Sequence, residues 1–143
     1  MDALDLTKQP PRGPRELLPG LDLLMAARTA DKIRATLPGG NIGEYQITGF
    51  SSTLLNALKI PESLLRAAIA AAKSDAEVAD WIRDHSDPAA YPEINARLES
   101  QTVADRLNDA WYVARYPIAK RFPPQTSHLD VLAADDEAAF SSG

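Results

Sequence analysis

The residues best suited to chemistry lie in two neighbouring stretches near the N-terminus. Arg28, Asp31 and Lys32 are spaced three and four apart, which places them on one face of a predicted helix. Glu44 and Tyr45 follow in a loop rich in glycine. Together these side chains would surround one anionic substrate with carboxylates, a phenol and two cations, and Glu44 and Tyr45 would do the acid–base work. This chemistry depends on the loop folding back over the helix.

The charged face of that helix has two interpretations. Leu21, Leu24 and Met25 begin an apolar stripe that runs directly into the three charged residues. Such a change of character marks either the edge of the core, where a solvated set of ion pairs is usual, or the wall of a cleft that binds an anion or a polar ligand. Both interpretations stay open.

The elements that must position these residues are an arm, a short helix and a long one. Pro10 and Pro11 favour an extended path for residues 1–13. Pro14 suits the first turn of a short helix over residues 15–18. The long helix is predicted from residue 21 to residue 37, where Pro38 and two glycines stop it. Residues 44–48 form a short β-like segment, as a turn, half of a hairpin or a strand that pairs with a partner chain.

The remainder of the chain predicts a succession of amphipathic helices. They span residues 51–58, 61–73, 75–86, 92–98 and 102–114, and Ser74 to Glu77 matches a capping box. Leu64 and Leu65 both lie on the predicted apolar face of the second of these. Residues 123–143 are expected to be an irregular or partly ordered tail. The fold is therefore predicted to be all-α, a single domain over residues 1–143 with about five or six helices.

Two predictions concern the C-terminal third of the chain. On the helix over residues 102–114, the apolar face is expected to contain Trp111, while Tyr112 points outward. The adjacent carboxylates Asp135 and Asp136 are expected to lie in the solvated tail rather than on facing elements.

Several common chemistries are improbable for this sequence. It has no cysteine and two histidines, so we expect neither a zinc site nor a cofactor. His85 shares a stripe with Trp81 and is interpreted as a packed or helix-end histidine, and nothing near His128 pairs with it at recognisable spacing. The glycines at 39, 40 and 43 lack the order of a nucleotide-binding loop, and no nucleophile elbow or kinase signature is present.

Charge and hydropathy limit the partners. The net charge of −5 argues against nucleic acid as a partner. No stretch approaches the roughly 20 apolar residues that cross a bilayer, so no membrane partner is expected. The N-terminus is acidic where a signal peptide is basic. These observations predict a cytoplasmic protein.

Several short motifs resemble those of a family of small bacterial proteins classed only as a domain of unknown function. The motifs are Asp5-Leu6-Thr7, Pro11-Arg12-Gly13-Pro14-Arg15, Asp31-Lys32-Ile33-Arg34-Ala35 and Gly43-Glu44-Tyr45. In the family pattern a serine stands where this chain has Gly13. The resemblance brings no activity with it. It implies that the set to test as a ligand site is Arg15, Arg28, Asp31, Lys32, Glu44 and Tyr45.

Two functions from different classes follow. The first is a small helical binding or protein-interaction module with a charged site for a small anionic ligand, as a homodimer or with a protein partner. The second is a small metabolic enzyme or enzyme subunit that acts on a carboxylated or phosphorylated small molecule through the same residues. They differ in whether Arg28, Lys32 and Tyr45 line a concave pocket or are fully used in ion pairs.

Overall fold

The computed structural model describes residues 1–140, and these form an all-α fold without a sheet. The all-α class is confirmed, with eight α-helices where five or six were expected. The helices are α1 (Ala26–Arg34), α2 (Phe50–Leu58), α3 (Glu62–Ala71), α4 (Asp75–Asp84), α5 (Tyr91–Glu99), α6 (Val103–Arg106), α7 (Ala110–Arg115) and α8 (His128–Phe140). Two 3-10 turns, Pro88–Ala90 and Pro117–Arg121, complete the regular structure.

The central element is α1, which is buried from Ala26 to Ile33 and packs against α2 and α3. It is shorter than the predicted helix over residues 21–37. Its first residue follows Met25, whose left-handed backbone (φ 70°) breaks the helix on its N-terminal side. Asn95 explains why residues 21–25 stay outside the helix: its side-chain amide donates to Asp22 O (2.9 Å) and accepts from Leu24 N (2.9 Å). These bonds satisfy the local backbone without helical partners.

The N-terminal arm lies across the end of α1 and the loop that follows it. Asn41 N donates to Leu4 O (2.9 Å) and Leu6 N donates to Asn41 O (2.7 Å). Gly40 allows this packing, because a Cβ there would lie 2.5 Å from the carbonyl oxygen of Ala35 and 3.0 Å from that of Leu4 in the arm. The prediction of a short helix over residues 15–18 is wrong. Residues 44–48 contain no strand; of the alternatives given for them, the turn is present, since Tyr45 N donates to Ile42 O at 3.1 Å.

The predicted irregular tail is largely wrong, because residues 128–140 form α8, the longest helix of the described chain. Ser127 stands at its start, where Ser127 Oγ accepts from Leu129 N (3.3 Å). Leu129 and Val131 are fully buried, and α8 packs against α5. Burial of this apolar face stabilises the helix. The preceding prolines lie in the irregular segment before α8 and do not extend that segment further along the chain. The part of the predicted tail over residues 141–143 lies outside the described residues.

The predicted helix over residues 102–114 is broken into α6 and α7. Asp109 causes the break, since its carboxylate accepts from Trp111 N (3.0 Å) and Tyr112 N (3.3 Å) and so starts a new helix. Because α7 starts anew at this point, the buried and exposed positions of Tyr112 and Trp111 are the reverse of those predicted. Tyr112 is buried, and the Trp111 side chain is 61% exposed. Leu64 is likewise 54% exposed on α3, although Leu65 is buried as predicted.

Candidate functional site

A cavity of about 460 Å³ lies between α1, the loop before α2, α7 and the first turn of α8. We call it the cationic cavity, because four basic side chains line it and Glu44 is the single carboxylate among its lining residues. The basic residues are Arg28, Lys32, Arg106 and Arg115. The aromatic and imidazole groups of its wall are Tyr45, Phe50, Trp111, Tyr112, Tyr116 and His128.

Arg28 anchors the floor of this cavity through a buried ion pair. Its guanidinium donates to Asp136 of α8 at 2.6 Å, and the two side chains are 2% and 8% exposed. Tyr45 joins them, because its hydroxyl donates to Asp136 Oδ1 at 2.7 Å and its ring lies beside the guanidinium. Burial, followed by the bond to Asp136, raises the pKa of Tyr45, so the phenol stays protonated. The Arg28 Nε is buried and has no hydrogen-bond partner within residues 1–140.

Lys32 is buried one helical turn from Arg28 and makes no ion pair in the described part of the chain. Its Nζ donates to Ser51 Oγ at 3.4 Å, and Thr29 Oγ1 donates to the same hydroxyl at 2.9 Å. Burial and then the charge of Arg28 lower the pKa of Lys32 to about 7, against an opposing influence of Asp136. Both the ammonium and the neutral amine are therefore populated near neutral pH.

The two other basic residues line the cavity from the side of α6 and α7. Arg115 lies over the Tyr116 ring (4.5 Å) and contacts Asp135 at a long 3.3 Å. Arg106 forms no side-chain hydrogen bond or ion pair to any of residues 1–140. Trp111 adds a largely exposed indole to the same wall. This side of the cavity thus offers cationic groups and an aromatic surface to a ligand.

His128 and Tyr112 form a buried pair that also faces the cavity. The Tyr112 hydroxyl and His128 Nδ1 share a hydrogen bond of 2.8 Å. Burial, and next the charge of Arg106, lower the pKa of His128 to about 4, and burial raises the pKa of Tyr112 to about 12. Both groups are neutral at pH 7 as a result. His85 is elsewhere: it ends α4 and stacks on Trp81, as predicted for a helix-end histidine.

The structure divides the predicted site residues between the cavity and other places. Arg28, Lys32, Glu44 and Tyr45 line the cationic cavity, so the loop does lie against α1. Asp31 does not line it; Arg12 reaches Asp31 at 2.9 Å and Asp75 at 2.9 Å, which ties the arm to α1 and α4. Arg15 is also outside, in ion pairs with Glu99 (2.6 Å) and Asp130 (3.1 Å).

Sequence reasoning missed the site residues that come from the C-terminal third of the chain, namely Arg106, Tyr112, Arg115, His128 and Asp136. The prediction that Asp136 lies in a solvated tail is wrong, because α8 buries it against Arg28. One signal was present: Arg28 continues the apolar stripe of Leu24 and Met25, and an arginine buried there needs a counterion, which the acidic residues of the C-terminal third could supply. Thr126-Ser127 before an apolar run is the second signal, since it marks a helix start.

Residues 1–140 contain no group of three or more histidine, aspartate or glutamate side chains arranged to hold a metal ion. Over the same residues, each helix is too short or too polar to cross a lipid bilayer.

Comparison with known proteins places the chain in a family. The curated proteins contain no match to this sequence. A family model described as Domain of unknown function (DUF5069) matches residues 8–138, which include every residue of the cationic cavity. This match covers nearly the whole sequence. It confirms the expected membership of a family classed as a domain of unknown function, and the chain belongs to the DUF5069 family.

Proposed function

We propose that the protein binds a small anionic molecule, carboxylated or phosphorylated, in the cationic cavity. The observation that carries this proposal is that Lys32 and Arg106 line one cavity and neither forms an ion pair with residues 1–140. Uncompensated charges in a concave, partly buried site are costly to the free protein, and an anion would relieve that cost.

Coulomb interactions inside the cavity favour an anion over a neutral ligand. Arg28 is already neutralised by Asp136, and Arg115 is only loosely paired with Asp135. The lining then retains the charges of Lys32 and Arg106 against one exposed carboxylate, Glu44. A ligand between these groups is screened less than one on an open surface. This balance predicts an anionic ligand.

The dimensions and the aromatic wall indicate a small, partly apolar ligand. A cavity of about 460 Å³ lies in the range of sites for small organic molecules. Trp111, Tyr112 and Tyr116 provide ring faces against which a carbon skeleton would pack. The ligand class is therefore an organic anion rather than a bare inorganic ion.

An enzyme that acts on the same class of molecule is the second candidate. It is favoured by the Tyr112–His128 pair and by Lys32, whose neutral amine is populated near pH 7. Self-association and a protein partner stay predictions.

A thermal-shift panel of small anions, followed by calorimetry, tests the proposal. The panel includes succinate, citrate, inorganic phosphate and pyrophosphate. The matched variants are Lys32→Met and Arg106→Gln inside the cavity, with Lys120→Met and Arg121→Gln as controls that remove the same charge from exposed positions. We expect succinate and citrate to bind the wild type and both controls, and to bind more tightly than phosphate and pyrophosphate do. Each cavity variant should lose about tenfold or more in affinity, since one charge-assisted hydrogen bond contributes about 1.5–3 kcal/mol.

Binding that survives in both cavity variants, with the variants shown to be folded by circular dichroism, would place the ligand elsewhere. Equal losses in the cavity variants and the exposed controls would show that only net charge matters.

A further inference from the structure

The surroundings of Lys32 suit an amine that reacts with a ligand rather than one that stabilises the fold. A structural lysine usually meets a carboxylate, but Lys32 Nζ has only the Ser51 hydroxyl within hydrogen-bond reach in residues 1–140. The side chain nevertheless lines the cationic cavity, so a ligand there would meet its amine. Thr29 donates to Ser51 and so fixes the hydroxyl that contacts the amine.

The charged groups around Lys32 favour its neutral form. Arg28 and Arg115 lie close enough for their positive charge to lower the pKa of Lys32, in addition to the effect of burial. Asp136 acts in the opposite direction, but its carboxylate is occupied by Arg28 and Tyr45. A lysine beside other cations in a dry pocket is a known way to obtain a nucleophilic amine at neutral pH.

We infer that Lys32 forms an imine with the carbonyl group of a small 2-oxo carboxylate held in the cationic cavity, an inference that rests on the proposed function. The carboxylate would lie between the cavity's arginine side chains, and the adjacent carbonyl carbon would face the amine. Only Lys32 can do this in the cavity. The other lysines, Lys8, Lys59, Lys73 and Lys120, are exposed and lie outside it.

The covalent step balances without an oxidant or a reductant. The neutral amine nitrogen bonds to the carbonyl carbon, and the resulting carbinolamine loses the former carbonyl oxygen. Both protons of the amine end on that oxygen, which leaves as water, and the nitrogen keeps a double bond to carbon. Ser51 Oγ accepts a hydrogen bond from Nζ and so holds the amine in position. The Tyr45 hydroxyl on the cavity wall already donates its proton to Asp136 and can act there only as an acceptor.

Borohydride trapping with pyruvate tests the inference on the full chain. Sodium borohydride gives a hydride to the imine carbon and converts the adduct into a stable secondary amine, which peptide mass spectrometry assigns to one lysine. We expect Lys32 to be labelled at pH 7 at least about tenfold faster than each exposed lysine, because an ordinary lysine with a pKa near 10.4 is almost entirely protonated there. Lys32→Arg keeps the charge and should abolish the adduct, whereas Lys120→Arg should not.

A parallel binding measurement with lactate separates this inference from the proposed function. Lactate keeps the carboxylate of pyruvate but has a hydroxyl in place of the carbonyl, so it can bind without forming an imine. Trapping that spreads equally over the five lysines, or none at Lys32, overturns the imine. If lactate then still binds in a manner that needs Arg106, anion binding stands. If the anions of the panel, lactate and pyruvate all fail to bind, both conclusions are overturned.

Discussion

Arg28 and Asp136 lie 108 positions apart in the chain and form its most buried ion pair. Within residues 1–140, Arg28 also donates to Arg12 O at 3.3 Å, and the Tyr45 hydroxyl also donates to Asp136. Ion pairs of this kind contribute little net stability relative to apolar residues, but breaking one leaves a buried charge alone. The pair therefore links α1 to α8 and sets the floor of the cationic cavity.

Removing one partner tests this description. Arg28→Met should lower the free energy of unfolding by about 3–5 kcal/mol, because Asp136 stays buried without its cation. Arg28→Met combined with Asp136→Leu should cost less than Arg28→Met alone, although the Tyr45 hydroxyl then lacks its acceptor. Urea denaturation measures both variants. Arg121→Met, at an exposed position, is the control. If Arg28→Met changed the free energy of unfolding as little as this control does, the burial of the pair would be contradicted.

The pKa of Lys32 makes stability depend on pH. Folding lowers this pKa from 10.5 to about 7, so the unfolded chain binds more protons than the folded chain between these values. Stability contributed by this group thus rises with pH across the window, while below about pH 7 the fold bears the full cost of a buried ammonium. Between pH 7.5 and 9.5, the free energy of unfolding of the wild type should rise relative to that of Lys32→Met by up to about 1.4 kcal/mol per pH unit. Parallel stability curves for the two proteins would show that Lys32 is not perturbed.

At the scale of elements, the helices before α6 could largely be predicted from the sequence, whereas α8 could not. The helices α2 to α5 were predicted to within two residues at each end, because each has a clear apolar stripe and a boundary signal such as Pro61 or Pro88. In α8 the apolar residues Leu129, Val131 and Leu132 are followed by alanines and acidic residues, so no continuous stripe was visible. Its burial depends on α5, which is remote in sequence.

A matched pair of leucines tests the role of α8. Leu129→Ala should destabilise the protein by about 2–5 kcal/mol, because the side chain is fully buried and its removal leaves a cavity. Leu64→Ala, at a position 54% exposed on α3, should change stability by less than about 0.5 kcal/mol. Chemical denaturation of the two variants gives the comparison. A Leu129→Ala variant as stable as Leu64→Ala would mean that α8 is not part of the core.

The break between α6 and α7 sets the orientation of the cavity residues on these two helices. This break was not predicted from the sequence. A continuous helix would bury Trp111 and turn Tyr112 outward, whereas the cap formed by Asp109 does the reverse. Asp109→Ala removes that cap and should cost about 0.5–2 kcal/mol. It should also alter the environment of His128, whose Nδ1 bonds Tyr112. The imidazole resonances of His128 in an NMR spectrum report this, with His85 as the internal reference; an unchanged His128 signal would contradict the coupling.

At the scale of the whole molecule, the site is assembled from both ends of the chain. The motifs near the N-terminus supply Arg28, Lys32 and Tyr45, and these were predictable as a group from their spacing and from the family resemblance. The opposite wall required the tertiary packing of α7 and α8 on α1. Local sequence patterns do not encode which remote side chain neutralises a buried arginine.

The charge of the cavity predicts how anion binding responds to salt. From about 0.1 M to about 1 M ionic strength the Debye length falls from about 10 Å to about 3 Å, so an anion held by Lys32 and Arg106 should bind several-fold more weakly. Titration calorimetry with citrate at the two salt concentrations measures this. Affinity that stays constant or increases with salt would indicate binding by the aromatic wall alone.

The central claim is that the cationic cavity is the binding site, and the two tryptophans test it most directly. Trp111 lines the cavity, whereas Trp81 stacks on His85 of α4 and does not line it. In an NMR titration with citrate, the indole N–H resonance of Trp111 should shift and that of Trp81 should not, and Arg106→Gln should weaken the response. Equal shifts of both indoles, or a Trp111 shift that Arg106→Gln and Lys32→Met leave unchanged, would contradict the claim.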